Sequence, residues 1–129
     1  ERILKGLLRK KLGFKGLIIS DDMEMGAIAK NYPIEEATVN AIKAGVDVIL
    51  IGNNIEKQKK AVQSTLEAID EGKLSEARIE ESIKRILKVK DKHLLPYHQA
   101  DYDDVKALVG CREHKEVVDR IREISGFQA

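Results

Sequence analysis

The sequence has no tryptophan, one cysteine and two prolines in 129 residues. Cys111, being alone, excludes an internal disulfide framework and any multi-cysteine zinc site, and reads as a buried or linker thiol. The aromatic residues are Phe14, Tyr32, Tyr97, Tyr102 and Phe127, too scattered for a base-stacking platform. An excess of one charge is missing too. The 23 basic and 22 acidic side chains leave +1, which gives no electrostatic basis for binding nucleic acid or an anionic membrane surface. No apolar run approaches the roughly 20 residues that span a bilayer, and the first residues lack a signal-type pattern. There is no internal repeat and no low-complexity tract. His93, His98 and His114 have no second ligand at i+3 or i+4, so each reads as a surface residue and no metal site is expected.

What is present is a globular balance of 43% hydrophobic and 35% charged residues, sized for one modest domain. The periodicity predicts a helix from about Arg2 to Leu12, with Ile3, Leu4, Leu7 and Leu8 on one face and Gly13 as the residue after it. Leu17 to Ser20 reads as a strand buried on both faces. A loop or short helical turn over Gly26 to Asn31 follows, then a helix over Ile34 to Ala44, facing inward through positions 34, 37, 38, 41 and 42 and ended by Gly45. Val46 to Ile51 reads as a second buried strand. Strand, helix and strand with short connections predict a parallel pair with a right-handed crossover.

Asn54 is placed to cap a helix over Ile55 to Ile69 that buries Ile55, Val62, Leu66 and Ile69. Ser75 is placed to cap the next, with Ile79, Ile83, Ile86 and Leu87 on its apolar face, reaching about Lys92. Glu80 with Lys84 and Glu81 with Arg85 are spaced for ion pairs on the solvated side. Residues 93 to 101 lose all periodicity and read as a linker or wrapping tail, before a last helix near His114 to Ile124 whose apolar side is Val117, Val118, Ile121 and Ile124.

The organising stretch is Gly16-Leu17-Ile18-Ile19-Ser20-Asp21-Asp22-Met23-Glu24-Met25, a strand running straight into paired carboxylates. Parallel strands carry their chemistry at the carboxyl end, where the chain leaves the sheet. Asp21 stands there, either as a catalytic carboxylate or as a cap on the following turn. Asp47, inside an apolar strand, reads as a structural acid satisfied by a backbone or basic partner near the strand start. Asn53 and Asn54 read as capping residues with ligand contact open to them, and Gly52-Asn53-Asn54 at a helix start offers a weak alternative as an anion-binding module.

The run from Lys11 to Ala27, through Ser20-Asp21-Asp22-Met23-Glu24-Met25, resembles the signature of glycoside hydrolase family 3. It is closest to the β-N-acetylglucosaminidase branch, which ends its strand in Ser-Asp-Asp and not the Ser-Asp-Trp of the β-glucosidase branch. Ala41 to Gly52 resembles that family's next strand unit, Ile79 to Lys90 the helix closing its barrel, and Val109 to His114 a linker into a second domain. The resemblance implies an α/β chain forming the last two strand–helix units of a (β/α)8 barrel over residues 1–92, with a linker and helix over 93–129 leading toward a second domain.

It also implies that Asp21 is the nucleophile of a retaining exo-glycosidase acting on carbohydrate, that Asp22 shapes the loop, and that Met25 lies against the acetamido group. No cofactor is expected for that chemistry. The acid/base and most sugar-gripping residues of the family match nothing in this chain, which implies that it is inactive alone. A quarter of a barrel has bare strand edges, so the partner expected is the rest of a longer chain or a second copy. The opening at Glu1 inside a helical pattern, without Met, points the same way.

Overall fold

A computed structural model describes residues 1–126 and divides into two compact units, Glu1–Leu94 and the residues from Leu95 onward. The first unit holds an amino-terminal π-helix (Arg2–Lys11), β1 (Ile19–Asp22), α1 (Gly26–Ala29), α2 (Ile34–Ala44), β2 (Val48–Leu50), α3 (Ile55–Asp70) and α4 (Glu76–Leu94). β1 and β2 form a two-stranded parallel sheet. The second unit holds α5 (Tyr102–Leu108), which the sequence reading missed, and α6 (Arg112–Ser125). Asp101 caps α5 by accepting the N–H groups of Asp103 and Asp104. Gly126, at φ 66°, ends α6; Phe127 lies outside the described residues.

The amino-terminal helix winds i→i+5, as in the bond from Leu12 N–H to the Leu7 carbonyl. That winding stacks Leu4 over Arg9 instead of over Leu7. Leu4, Leu8 and Arg9 are therefore half-buried, while Ile3 and Leu7 of the expected apolar face are exposed.

α2 matches its expected bounds, and its inward face buries Ala37 and Thr38. Gly45 ends it at φ 117°, a backbone state natural to glycine, and the N–H groups of Gly45 and Val46 return to the carbonyls of Ala41 and Ile42. This use of Val46 in the helix stop shortens the second strand to Val48–Leu50.

Three expectations about burial are corrected. The strands are not covered on both faces: Ile19 is 57% and Leu50 46% exposed, because neither edge of a two-stranded sheet has a neighbour. α3 does not bury its large residues. It packs on α2 and buries Ala61, Ser64 and Ala68, small side chains that allow close approach, whereas Ile55, Val62 and Leu66 are exposed and Ile69 is half-buried. α4 is turned likewise, with Ser82 buried, Arg78 and Arg85 half-buried beside Ile79 and Ile86, and Ile83 and Leu87 exposed. In the second unit Val117, Val118, Ile121 and Ile124 are all exposed.

Candidate active site at the carboxyl end of the strands

The start of the sheet is fixed by one buried charge. The Asp47 side chain is fully buried; its Oδ2 accepts Arg9 Nη2 at 2.6 Å and Ile18 N–H at 3.0 Å, and its Oδ1 accepts the Ser82 hydroxyl at 2.8 Å and Arg85 Nη1 at 2.9 Å. Arg78 joins through Ser82 Oγ at 2.7 Å and the carbonyls of Ile42 and Val46. The structural role expected for Asp47 is what the geometry gives, and the three arginines are residues that the sequence reading did not connect to it. Burial is the largest influence on Asp47 and raises its pKa, but the bonds from Ile18, Ser82 and Arg85, with the Arg85 charge, outweigh it and hold the carboxyl below its ordinary value.

The ladder begins at the Ile18 carbonyl, which accepts the N–H groups of Asp47 and Val48. Its register then slips. Ile19 pairs with Val48 and Asp22 with Leu50, so three steps along β1 face two along β2. At the slip the Leu50 N–H donates to the Ser20 hydroxyl at 2.9 Å, where a backbone carbonyl would otherwise stand. A bulge of this kind re-aims side chains at the end of a strand, and here it falls on Ser20 and Asp21. The strand accordingly runs to Asp22, two residues beyond the expected Leu17 to Ser20.

Asp21 is exposed, and its Oδ1 accepts the Asp22 N–H at 2.8 Å. It lines an apolar cavity of about 600 Å³ together with Ser20, Met25, Ile28, Tyr32 and Val46. Met25 is 51% exposed, so the cavity wall is open there. Asp22 also lines this cavity, but its Oδ1 is engaged: it accepts the N–H groups of Glu24 at 2.9 Å and Gly52 at 3.4 Å, the loop-holding part expected of it. Glycine at 52 leaves room for that approach, since a Cβ there would lie 2.8 Å from Asp22 Oδ2 and the carboxylate would have to shift.

Glu24 is the functional-end residue the sequence reading passed over. Its Oε2 accepts the N–H groups of Asn53 at 2.9 Å and Asn54 at 3.2 Å, and its Oε1 accepts Lys57 Nζ at 2.9 Å. Lys57 first, then the Asn53 and Asn54 N–H groups, hold its carboxyl below the ordinary value. The alternative reading of Gly52-Asn53-Asn54 as an anion cradle is corrected by this, because Glu24 already occupies those donors. Asn54 caps α3 through Oδ1, which accepts Glu56 and Lys57 N–H. The only signal for Glu24 in the sequence was its place in an acidic motif; its partners lie about 30 residues on.

A carboxylate on a cavity wall at the carboxyl end of a parallel strand is the class of site that α/β enzymes build. Residues 1–89 match the model of the glycosyl hydrolase family 3 N-terminal domain. The chain belongs to glycoside hydrolase family 3. It is 33% identical over 90 residues to a β-N-acetylglucosaminidase/β-glucosidase of Cellulomonas fimi, a match covering 70% of this chain and 15% of that protein. To β-hexosaminidase A of Pseudoalteromonas piscicida it is 28% identical over 122 residues, covering 90% and 20%. A solved family 3 β-N-acetylglucosaminidase from Paenibacillus sp. superimposes with a TM-score of 0.75 at 36% identity, over 92% of this chain and 23% of that one. The chain thus spans between 15% and 23% of the length of these relatives.

Proposed function

We propose that Asp21 is the nucleophile of a retaining exo-glycosidase that removes terminal β-N-acetylglucosamine from cell-wall or chitin-derived sugars. The observation that carries the reading is the position of Asp21 at the β1 bulge, exposed on the cavity wall, with one carboxylate oxygen held by the Asp22 N–H. A retaining mechanism needs such an ionised carboxylate to attack the anomeric carbon and form a glycosyl-enzyme ester, with a proton donor about 5–5.5 Å away on the other side of the bond. Asp22 and Glu24 do not serve as that donor in this reading, because both carboxylates hold backbone N–H groups. The residues of this chain are the last two strand–helix units of a barrel, residues 93–129 lead toward a second domain, and the chain is inactive until the remaining strands are supplied in one polypeptide.

Support for the acetamido sugar comes from Met25 beside Asp21 in the cavity and from the names of the relatives. One of those names also includes β-glucosidase, so the second reading is another family 3 exo-glycosidase. A panel of aryl β-glycosides tested on the intact enzyme distinguishes them. Preference for the N-acetylglucosaminide supports the first reading, and equal or better turnover of the glucoside or xyloside replaces it. Turnover of an aryl N-acetylglucosaminide by the purified 129-residue chain contradicts its inactivity.

A further inference from the structure

We propose that Glu24 is a positioning residue for Asp21, acting through a relay of carboxylates that ties the turn after β1 to the loop after β2. The inference rests on reading Asp21 as the nucleophile. The relay has three links. Asp21 Oδ1 is held by the Asp22 N–H at 2.8 Å. The Asp22 carboxylate is held in turn by the N–H groups of Glu24 and Gly52. The Glu24 carboxylate anchors the whole turn on the Asn53 and Asn54 N–H groups and the Lys57 ammonium.

Each link constrains the one before it. The Glu24 N–H can hold Asp22 only while the Glu24 backbone stays where its side chain pins it. The Asp22 N–H can aim Asp21 only while the peptide between them keeps its orientation. The Glu24 side chain is 15% exposed and uses both oxygens, which makes it far better fixed than Asp21 itself. A helix cap of purely structural worth would need only the Asn54 side chain, which already accepts the N–H groups of Glu56 and Lys57. Glu24 adds a connection from that helix start back to the strand carrying the nucleophile. Such a connection bears on rate, because a nucleophile displaced by about 1 Å can lose on the order of 100-fold.

The test compares wild-type intact enzyme with Glu24→Ala and Glu24→Gln, and with Ser75→Ala as a control. The control loses the cap of a different helix, α4, where Ser75 Oγ accepts the Arg78 N–H. The readouts are the rate of covalent labelling of Asp21 by a 5-fluoro N-acetylglucosaminyl fluoride, the kcat and KM for an activated aryl N-acetylglucosaminide, and the thermal midpoint. Glu24→Ala is expected to slow labelling and kcat by on the order of 100-fold with a much smaller change in KM, and Glu24→Gln by less. Ser75→Ala is expected to lower the midpoint and leave the labelling rate unchanged. Formate added to Glu24→Ala is expected to refill the Asn53–Asn54–Lys57 cradle and raise the thermal midpoint, but to leave the labelling rate low, because it is not tied to the backbone of residue 24.

Labelling of Glu24→Ala at the wild-type rate overturns the inference and leaves Asp21 as nucleophile. So does formate that restores the labelling rate of Glu24→Ala, because an untethered anion cannot hold the residue 24 backbone. If Glu24→Ala does not fold, Glu24→Gln decides, and an unchanged rate in that variant overturns the inference. Absence of any label on Asp21 in the wild type removes both readings together.

Discussion

Asp47 shows most plainly how one side chain fixes the geometry of the unit. A fully buried carboxylate with a backbone N–H, a hydroxyl and two guanidinium groups around it ties the amino-terminal helix, the starts of both strands and α4 to one point. Removing its charge leaves Arg9, Arg78 and Arg85 facing a neutral amide, so Asp47→Asn is expected to destabilise the chain by about 3 kcal/mol in urea unfolding at pH 7. The pH dependence follows from the lowered pKa. The ionised Asp47 contributes its full stabilisation above the unfolded value near 3.8, and loses it as the pH falls through the depressed folded value. The wild type is therefore expected to lose stability relative to Asp47→Asn over that acid range, so that the gap between them narrows. A gap that stays constant down to the lowest pH contradicts this account.

At the same scale, Gly52→Ala is expected to cost about 1–3 kcal/mol, because its Cβ would meet the Asp22 carboxylate at 2.8 Å. A thermal midpoint equal to wild type would show that the Asp22 turn relaxes freely. The sequence could mark Asp47 as an acid needing a partner, since an acid in an apolar strand has few other fates. It could not say which cations answer it, because Arg9 and Arg85 each lie 38 positions away.

Among the elements of the first unit, the bounds of α2 and α3 and the inward face of α2 were legible, whereas the inward faces of α3 and α4 were not, nor was α5 in the second unit. α2 ends where Gly45 supplies its positive φ, and α3 begins where Asn54 supplies its side-chain oxygen, both local chemistry that a sequence displays directly. Asn54→Ala is expected to lower stability by about 1 kcal/mol, read from the urea midpoint. The inward faces of α3 and α4 depend instead on what each helix meets. α3 meets α2 with Ala61, Ser64 and Ala68, and α4 sends Arg78, Ser82 and Arg85 to Asp47. A rule that places the largest apolar side chains inward reads both helices turned by part of a circle. The ion pairs Glu80–Lys84 and Glu81–Arg85 form as spaced, although Arg85 also reaches the buried acid. The β1 bulge was invisible as well, since its cause is the Ser20 hydroxyl standing in for a carbonyl across the sheet.

On the scale of the whole molecule, the main oddity of the fold is its uncovered apolar surface. Two parallel strands flanked by helices leave Ile19, Leu50, Val62 and Leu66 exposed, and no side chain among the described residues is both large and fully buried. Apolar faces and open edges of this kind promote association. The isolated 129-residue chain is expected to sediment as species heavier than 14.5 kDa as its concentration rises; a monomer at every concentration would contradict that.

The central claim is the role of Asp21, and trapping the covalent intermediate tests it most directly. The intact enzyme is incubated with a 5-fluoro N-acetylglucosaminyl fluoride, digested, and mapped by mass spectrometry. The account predicts one glycosyl adduct, carried by the peptide containing Ser20-Asp21-Asp22 and assigned to Asp21 by fragmentation. An adduct on Asp22, on Glu24 or on a residue outside this motif would contradict it.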